Sequence, residues 1–470
     1  MRPNVVLIVL DTARADALEP YGAAPGASPA IADLARRGVA LNGRSTACWT
    51  VPAHASMFTG MLPRASGLIK APNGTPQSCR PVLESRRDRL LPEVLRRAGY
   101  ATAAISTNMW LDRTSGFDIG FERFERIDSR RQGRLGDDSL RRRLGWALEG
   151  VRARADDGAA TAAAVLRRWA EQRRDERPFF WFVNLVECHS PYLPPRPYND
   201  LGPLERARAS EDARRFQTMG SIWQACAGGL DVPDESMARM RHLYGRSILA
   251  LDDWVARTLE TLDRRGLLDE TVVVVCSDHG ENFGENGLIG HAFSLDERLT
   301  RVPVVAAGPN VAAHPRPLSL AGIPRWIAET VELTEHPWHP PASGDVAIAQ
   351  FEPPAPRDDP SWDEAIAAWG VDTEVKDRLA EPLESATDGR LKLVRRGTDE
   401  SVFDLESDPL EAGPGAAVGD DAAVASLRAA LDAAHAEPPA PAPIGAGEED
   451  QLPADELEDL ERRMKLLGYM

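Results

Sequence analysis

The strand-like run TVVVVC at 271–276 constrains the fold most, because it ends directly in the motif SDHGE at 277–281. Its five consecutive β-branched residues predict a strand that is buried on both faces, as in a parallel sheet. The sequence VVLIVL at 5–10 predicts a second such strand, and Asp11 follows it. Ligands of open α/β sheets bind beyond the carboxyl ends of the strands. We therefore expect Asp11 to meet Asp278 and His279 at one cation.

Strand and helix patterns alternate through the first 310 residues or so. Further strands are predicted at 101–106, 179–187 and 301–308, and helices are predicted at 28–38, 89–100 and 236–265. This alternation indicates an α/β fold in which a central mixed, mainly parallel sheet is flanked by helices. A hairpin pattern at 389–409 predicts a small α+β subdomain near the C-terminus.

The length of 470 residues exceeds what one hydrophobic core usually serves, so we expect a large domain and a smaller one. The large domain is assigned to residues 1–335 and the small C-terminal subdomain to residues 336–430. Residues 431–455 are rich in Pro, Ala and acidic residues and are expected to be an extended linker. Residues 456–470 are expected to form a terminal helix.

Charge and composition exclude some classes of partner. The formal net charge of −17 argues against nucleic acid and against an anionic membrane surface. No run approaches the roughly 20 apolar residues that span a membrane. The first strand begins at about residue 4, which leaves no room for a signal peptide, and the five cysteines show no close pairing. We therefore expect a cytoplasmic protein with reduced thiols; its oligomeric state is left open.

The segment Thr50-Val51-Pro52-Ala53-His54 predicts the start of a helix, because proline suits the first helical turn. Thr50 is expected just ahead of this helix. The N-terminus of a helix attracts anions, so a nucleophilic hydroxyl and an anionic substrate group can share this position. The alternative is that Thr50 only caps the helix.

Several motifs resemble, in their order along the chain, the sulfatase family of the alkaline phosphatase superfamily. They are Asp11-Thr12, Thr50-x-Pro52-x-His54, His189-Ser190-Pro191-Tyr192, the SDHGE motif, and Gly290-His291 ahead of Arg301-Val302-Pro303. Each motif alone is a weak indicator of the family, but the ordered set of motifs is a strong one. The resemblance runs from about residue 4 to residue 412.

The resemblance implies a role for most of these residues. Asp11, Asp278 and His279 are implied ligands of one divalent metal ion (Ca, Mn, Zn or Mg). Thr50 takes the position of the nucleophile. His189 and His291 take positions that contact the transferred oxyanion or protonate the leaving oxygen. Three further residues are candidate contacts of the substrate, namely Arg14, His54 and Asn108. Arg14 can equally brace the first loop.

Three departures from the sulfatase pattern concern the chemistry. Sulfatases carry Cys, or occasionally Ser, at the position of Thr50 and convert it to formylglycine, so no formylglycine is expected here. Thr12 stands where the family has a second carboxylate, and His54 stands where it has Arg. A threonine nucleophile is shared instead with phosphodiesterases and phosphoglycerol transferases of the superfamily.

These considerations predict a metal-dependent ester hydrolase. Its substrate is a small anionic ester of sulfate, phosphate or phosphonate, and Thr50 is its nucleophile. One alternative is a phosphoglycerol- or phosphoethanolamine-type transferase. Another is a two-metal phosphodiesterase, in which His189 and His291 would be the spare ligands. A third alternative is a non-catalytic binding protein with the same fold.

Overall fold

The structure is a computed structural model. It describes the ranges 2–72, 74–128, 150–314, 316–340, 344–415 and 421–436, together with residue 145. The terminal helix expected at 456–470 lies outside the described residues, as does the expected linker beyond residue 436.

A mixed sheet forms the centre of the molecule. Its strands are β1 (Asn4–Leu10), β2 (Val39–Arg44), β3 (Ala101–Ser106), β4 (Arg123–Arg126), β5 (Phe179–Leu185), β6 (Thr271–Cys276), β9 (Arg301–Ala307) and β10 (Leu318–Ser319). Across the described part of the sheet their order is β10-β2-β9-β6-β1-β5-β3-β4. Strand β9 is antiparallel to both of its neighbours, whereas the remaining pairs are parallel. The predicted mixed, mainly parallel sheet is confirmed.

Both faces of this sheet are buried, which explains the unbroken apolar runs of its strands. In β1, Val5, Leu7 and Val9 join one hydrophobic cluster. The alternate residues Val6 and Ile8 join a second cluster on the opposite face. This alternation follows from the two-residue period of a strand. Helices therefore cover the sheet on both sides, and its carboxyl edge stays available for a site.

The helices lie largely between successive strands of the sheet. They are α1 (Pro29–Arg37), α2 (Thr50–Thr59), α3 (Pro63–Ser66), α4 (Arg80–Glu84), α5 (Leu91–Arg97), α6 (Ala159–Gln172), α7 (Pro203–Phe216), α8 (Met219–Cys226), α9 (Asp234–Arg264), α10 (Glu297–Thr300), α11 (Ile323–Thr330), α12 (Pro360–Trp369), α13 (Val375–Leu379) and α14 (Ala422–Ala436). The helices predicted at 28–38, 89–100 and 236–265 correspond to α1, α5 and α9.

A second, antiparallel sheet follows near the C-terminus. It consists of β11 (Ala347–Phe351), β12 (Leu383–Thr387), β13 (Leu391–Arg396) and β14 (Asp399–Asp404), paired in that order. The hairpin predicted at 389–409 is β13–β14. Helix α14 packs on this sheet through Leu427 and Leu431, and it extends into the segment expected to be a linker. A small antiparallel subdomain is thus confirmed.

Two short strands, β7 (Asn282–Phe283) and β8 (Ile289–Gly290), form a ribbon just after the SDHGE motif. The ribbon returns the chain to His291, beside the carboxyl edge of the main sheet. None of the described helices is both long enough and apolar enough to cross a bilayer.

Candidate active site

Four neighbouring strands of the main sheet supply the site. Asp11 follows β1, the pair Asp278-His279 follows β6, Asn108 follows β3, and Asn184 lies near the end of β5. Since β6, β1, β5 and β3 are adjacent and parallel, their carboxyl ends converge on one place. The convergence that the strand pattern predicts is therefore what the structure has.

Asp11, Asp278 and His279 form a compact cluster. Each offers a ligand atom, and these atoms lie within 4.8 Å of one another. All three side chains are fully buried. Nδ1 of His279 donates to the backbone carbonyl of Gly280 at 3.0 Å, so the lone pair of Nε2 faces the cluster. This hydrogen bond holds the tautomer that a metal-binding histidine needs.

The electrostatics of the cluster fit a cation. Burial, together with the charge of Asp11, raises the pKa of Asp278 well above its ordinary value. Burial also lowers the pKa of His279 well below its ordinary value, so its imidazole is neutral. Among the described residues, Oδ1 of Asp11 and Oδ2 of Asp278 have no hydrogen-bond partner. Two buried carboxylates with free oxygens and a neutral imidazole match the donor set of a divalent metal.

Thr12 stands where the sulfatase pattern has a second carboxylate. Its side chain points away from the cluster. Its hydroxyl donates to the carbonyl of Asp11 at 2.7 Å. Its backbone N–H donates to Oδ1 of Asp278 at 3.1 Å. Thr12 has a φ of 63°, which is rare for a β-branched residue. The strained loop thus orients Asp278 without adding a ligand.

Thr50 is the first residue of α2, with Trp49 at the N-cap position. The sequence pattern predicted Thr50 one residue earlier, ahead of the helix. Its Oγ1 lies 3.5 Å from Nε2 of His279 and 3.4 Å from Nδ2 of Asn108. The hydroxyl thus points toward the cluster, and no side-chain capping bond is formed at this helix start. The capping alternative is therefore wrong.

His54 lies behind Thr50, one turn into α2, and is fully buried. Its Nδ1 donates to the backbone carbonyl of Thr50 at 3.0 Å. Its Nε2 lies 3.3 Å from Nδ2 of Asn184, which is the donor of that contact. Burial lowers the pKa of His54 to about 4, so the ring is neutral with its proton on Nδ1. This position braces the helix start rather than facing the cavity, in contrast to the expected contact with substrate.

Asn108 and Asn184 both hold Asp11. Nδ2 of Asn108 donates to Oδ2 of Asp11 at 2.7 Å, and Nδ2 of Asn184 donates to the same oxygen at 3.2 Å. This leaves Oδ1 of Asp11 free. Sequence reasoning missed Asn184, although a polar residue inside the apolar run FFWFVNL is a visible signal.

Three imidazoles line one side of the site. The ring centroid of His291 lies 4.6 Å from that of His279 and 4.9 Å from that of His189. Nδ1 of His291 donates to Oε1 of Glu281 at 3.0 Å. Burial opposes protonation of His291, but the charge and hydrogen bond of Glu281 outweigh it and raise the pKa of His291 above its ordinary value. The Glu281 carboxylate thus favours the protonated form of His291.

Arg14 makes a brace within the loops. Its guanidinium donates to both carboxylate oxygens of Asp16 at 2.8 and 2.6 Å. It also donates to the carboxylate of Glu285 and to the carbonyl of Glu281, each at 3.1 Å. These partners occupy the guanidinium, and Arg14 does not line the cavity described next. The structure thus matches the bracing alternative and not the expected contact with substrate.

A cavity of about 490 Å³ opens over Thr50, His189 and His291. Its walls also carry Lys70, which no motif of the sequence marked as a site residue. Nζ of Lys70 lies 3.8 Å from a carboxylate oxygen of Glu352, at the end of β11. The cavity therefore lies between the main sheet and the C-terminal sheet, beside the nucleophile candidate.

The fold and the site agree with the resemblance to the alkaline phosphatase superfamily, and a sequence comparison identifies the family. The sequence model described as "Sulfatase" matches residues 3–329, so the chain belongs to the sulfatase family. The choline-sulfatase of Rhizobium meliloti (strain 1021) is 27% identical over 448 residues, which span 87% of this chain and 81% of that protein. The multifunctional alkaline phosphatase superfamily protein PehA of Trinickia caryophylli is 23% identical over 65% of this chain and 68% of that protein.

A solved structure confirms the fold. The phosphonate monoester hydrolase of Agrobacterium radiobacter superposes with a TM-score of 0.61, covering 93% of this chain and 96% of that one at 19% identity. The chain is thus a sulfatase-family ester hydrolase by its sequence, and it has the fold of that group.

Proposed function

We propose that this protein is a metal-dependent hydrolase of small anionic sulfate, phosphate or phosphonate esters, with Thr50 as its nucleophile. The supporting observation is the position of the Thr50 hydroxyl. Its Oγ1 lies 3.5 Å from Nε2 of His279 and 3.4 Å from Nδ2 of Asn108, on the wall of the cavity. A hydroxyl beside a metal-ligand cluster is the arrangement that activates a poor nucleophile.

The metal ligands in this proposal are Asp11, Asp278 and His279. A divalent ion held there would supply Lewis acidity, which lowers the pKa of the nearby hydroxyl and stabilises charge on the transferred group. Among the described residues one cluster of this kind is found, which favours one ion over the two of a phosphodiesterase of the two-metal type.

The protein's own groups divide the remaining work. Oγ1 of Thr50 gives its proton to solvent and forms a bond to sulfur or phosphorus while the bond to the ester oxygen breaks. His291, held by Glu281 and biased toward its protonated form, donates a proton to the departing oxygen. His189, at the same wall, contacts the transferred oxyanion. Water then attacks the Thr50-bound group and gives a proton to the now neutral His291, while the bond to Oγ1 breaks, the anion leaves and Thr50 regains its proton from solvent. The helix start at Thr50 adds backbone N–H groups that favour negative charge.

The charge balance favours a substrate group with one negative charge. Two ligand carboxylates balance a divalent ion, Glu281 balances a protonated His291, and Glu352 lies beside Lys70. Arg14 adds no free charge, because its guanidinium is paired. A sulfate monoester, a phosphate diester and a phosphonate monoester each carry one charge, whereas a phosphate monoester carries close to two at neutral pH. The monoanionic esters are therefore the expected substrates.

The test is a parallel assay of the purified protein, treated with chelator and then supplied with Mn, Zn, Ca or Mg. The substrates are 4-nitrophenyl sulfate, bis(4-nitrophenyl) phosphate, 4-nitrophenyl phenylphosphonate and 4-nitrophenyl phosphate. We expect turnover of at least one monoanionic ester, with one metal equivalent per chain. Two equivalents would instead support the two-metal phosphodiesterase.

Variants at position 50 test the nucleophile. Thr50→Ala is expected to lose at least about 1,000-fold in kcat, in the range known for removal of a nucleophile, whereas Thr50→Ser retains a hydroxyl and partial activity. Intact-mass analysis of a quenched reaction is expected to show the transferred group on wild type and Thr50→Ser. Undiminished turnover by Thr50→Ala would refute the assignment. Product formed only when an alcohol is added would identify a transferase.

A further inference from the structure

The cavity beside Thr50 has aromatic walls. Its rings come from separate segments of the chain, namely Trp49, Trp110, Trp223, Phe293 and Phe351. Trp49 and Trp110 meet edge to face with centroids 5.7 Å apart. On the other side Trp223 meets Phe293 at 5.5 Å, and Phe293 meets Phe351 at 6.0 Å. Two groups of interlocked rings thus bound the space that is continuous with the nucleophile.

Two polar side chains in the same walls are committed to partners within the protein. Oγ1 of Thr218 contacts Oγ of Ser221 at 2.8 Å, in the capping box of α8. Oε1 of Gln217 accepts from the backbone N–H of Tyr192 at 3.0 Å. An alcohol with many hydroxyl groups needs free donors and acceptors in return for its lost hydration. The engaged oxygens of Thr218 and Gln217 are not available for this, which disfavours a carbohydrate.

The charges in the cavity wall also compensate each other. Nζ of Lys70 lies 3.8 Å from the carboxylate of Glu352 and donates to the carbonyl of Pro353 at 3.4 Å. Aromatic walls alone attract a quaternary ammonium group as readily as a neutral apolar group. A lysine within the same wall opposes a cation, and its partner carboxylate opposes an anion. The pair therefore favours a neutral occupant.

We propose that this cavity binds the alcohol part of the ester as a bulky, uncharged, apolar body, with Trp223 and Phe351 as specificity-determining residues. This inference rests on the proposed function, because the alcohol is placed by its bond to the group that Thr50 attacks. Phe351 is the last residue of β11, whereas the other four rings lie outside the strands, so the C-terminal sheet contributes to the choice of substrate through Phe351. Burial of apolar surface gives the binding energy.

Three esters with the same anionic group separate the possibilities. They are the esters of 3,3-dimethylbutanol, of choline, which is its cationic isostere, and of glucose at its primary hydroxyl. We expect the 3,3-dimethylbutyl ester to have a kcat/KM at least about tenfold above the other two, since a matched apolar body in such a pocket is worth about that factor. A preference for the glucose ester would overturn the apolar assignment. A preference for the choline ester would overturn the assignment of an uncharged alcohol.

Variants locate the specificity in the named residues. Trp223→Ala and Phe351→Ala are each expected to raise the KM for the 3,3-dimethylbutyl ester about tenfold with little change in kcat, because the rings contact the alcohol and not the reacting centre. Trp223→Phe retains a ring and is the conservative control. Lys70→Met leaves Glu352 without its cation and is expected to shift the preference toward the choline ester. An unchanged preference in all of these variants would contradict the proposal.

A binding measurement separates this inference from the proposed reaction. Inhibition or tryptophan fluorescence titration with the free alcohols reports occupancy of the cavity without turnover. If 3,3-dimethylbutanol binds at least tenfold more tightly than choline and glucose while no ester is cleaved, the proposed reaction fails and the cavity assignment stands. If esters are cleaved but the three alcohols bind alike, the cavity assignment fails and the reaction stands.

Discussion

The side-chain amide of Asn184 donates to Oδ2 of Asp11 at 3.2 Å, inside the sheet edge where both residues are fully buried. The same nitrogen lies 3.3 Å from Nε2 of His54. One amide thus joins the orientation of a metal-ligand candidate to that of the histidine behind Thr50. Such outer contacts fix how a ligand presents its free oxygen. Asn184 is a positioning residue in this arrangement.

We expect Asn184→Leu to weaken metal binding by about 10–100-fold, the range found when the partners of metal ligands are removed. The apolar side chain keeps the volume but leaves Oδ2 of Asp11 with one donor instead of two. Metal affinity is measured by competition with a chelator. The unfolding temperature in chelator controls for a purely structural effect, which would lower that temperature and leave the affinity alone. Unaltered affinity in a folded variant would rule out the positioning role.

Removal of the metal should reveal how much the buried carboxylates destabilise the folded protein. Without an ion, burial and Asp11 disfavour the charged form of Asp278. We expect Asp278→Asn to melt above wild type in the presence of chelator, because the amide relieves this repulsion and its oxygen can still accept from Thr12. With metal added, the order should reverse, since the variant lacks a ligand. Calorimetric melting with and without metal measures both.

The control for this comparison is Asp345→Asn, an exposed acid paired with Arg316 at the surface. Its melting temperature should differ little from wild type in either condition. An equal metal-induced rise in melting temperature for wild type and Asp278→Asn would show that Asp278 is not a ligand.

The sheet edge could be predicted from the sequence because its signals are local. Buried parallel strands appear as apolar runs, and the polar residue that follows each run marks the carboxyl end. This reasoning placed Asp11, Asp278 and His279 together. It did not find β2 or β11, because Val39–Arg44 and Ala347–Phe351 are short and only weakly apolar. Such strands are defined by pairing with distant partners, which a local pattern does not contain.

The direction of side chains was the second feature that could not be predicted from the sequence. His54 and Arg14 lie in the segments where they were expected, yet one faces the interior and the other is held by Asp16 and Glu285. Spacing along the chain does not tell whether a charged group is already neutralised by a distant partner. Lys70 shows the opposite failure, a residue that lies in the cavity wall although the sequence did not indicate it. Its segment is irregular, so no strand or helix pattern predicted its position.

Lys392 connects the C-terminal sheet to the main domain and is 1% exposed. Its Nζ donates to Glu411 at 3.0 Å, to Glu297 at 3.2 Å and to the carbonyl of Leu295 at 2.6 Å. We expect Lys392→Met to destabilise the protein by about 3–5 kcal/mol, since it leaves the buried carboxylate of Glu411 without its cation and leaves Glu297 with Arg44 alone. Chemical denaturation measures the change.

The matched control for Lys392 is Lys376→Met. Lys376 pairs with Asp363 at 2.6 Å, but that carboxylate is 65% exposed. A surface pair of this kind contributes about 0–1 kcal/mol, so the control should be nearly neutral. Similar losses in both variants would mean that the contact between the sheets does not depend on the buried lysine.

Glu187 gives the clearest dependence on pH. It is buried just beyond β5, and its Oε1 accepts from the backbone N–H of Ala159 at 2.6 Å. Burial, with the nearby charges of Asp157 and Asp156, raises the pKa of Glu187 to about 8. In the unfolded chain a glutamate ionises near pH 4.3. Between these values the unfolded state releases a proton that the folded state keeps, so this group lowers stability progressively as the pH rises from about 4 to 8.

Glu187→Gln removes this penalty, because the amide stays neutral at every pH. Relative to wild type, we expect the variant to gain on the order of 2 kcal/mol more at pH 9 than at pH 6, since each pKa unit corresponds to about 1.4 kcal/mol. Denaturant unfolding of both proteins at the two pH values gives the difference in unfolding free energy between the variant and wild type. The pH effects of all other groups cancel in this difference. Glu329→Gln, at an exposed position beside Arg325, should show no such trend. A stability difference between Glu187→Gln and wild type that is the same at both pH values would mean that Glu187 is already ionised in the folded protein at pH 6.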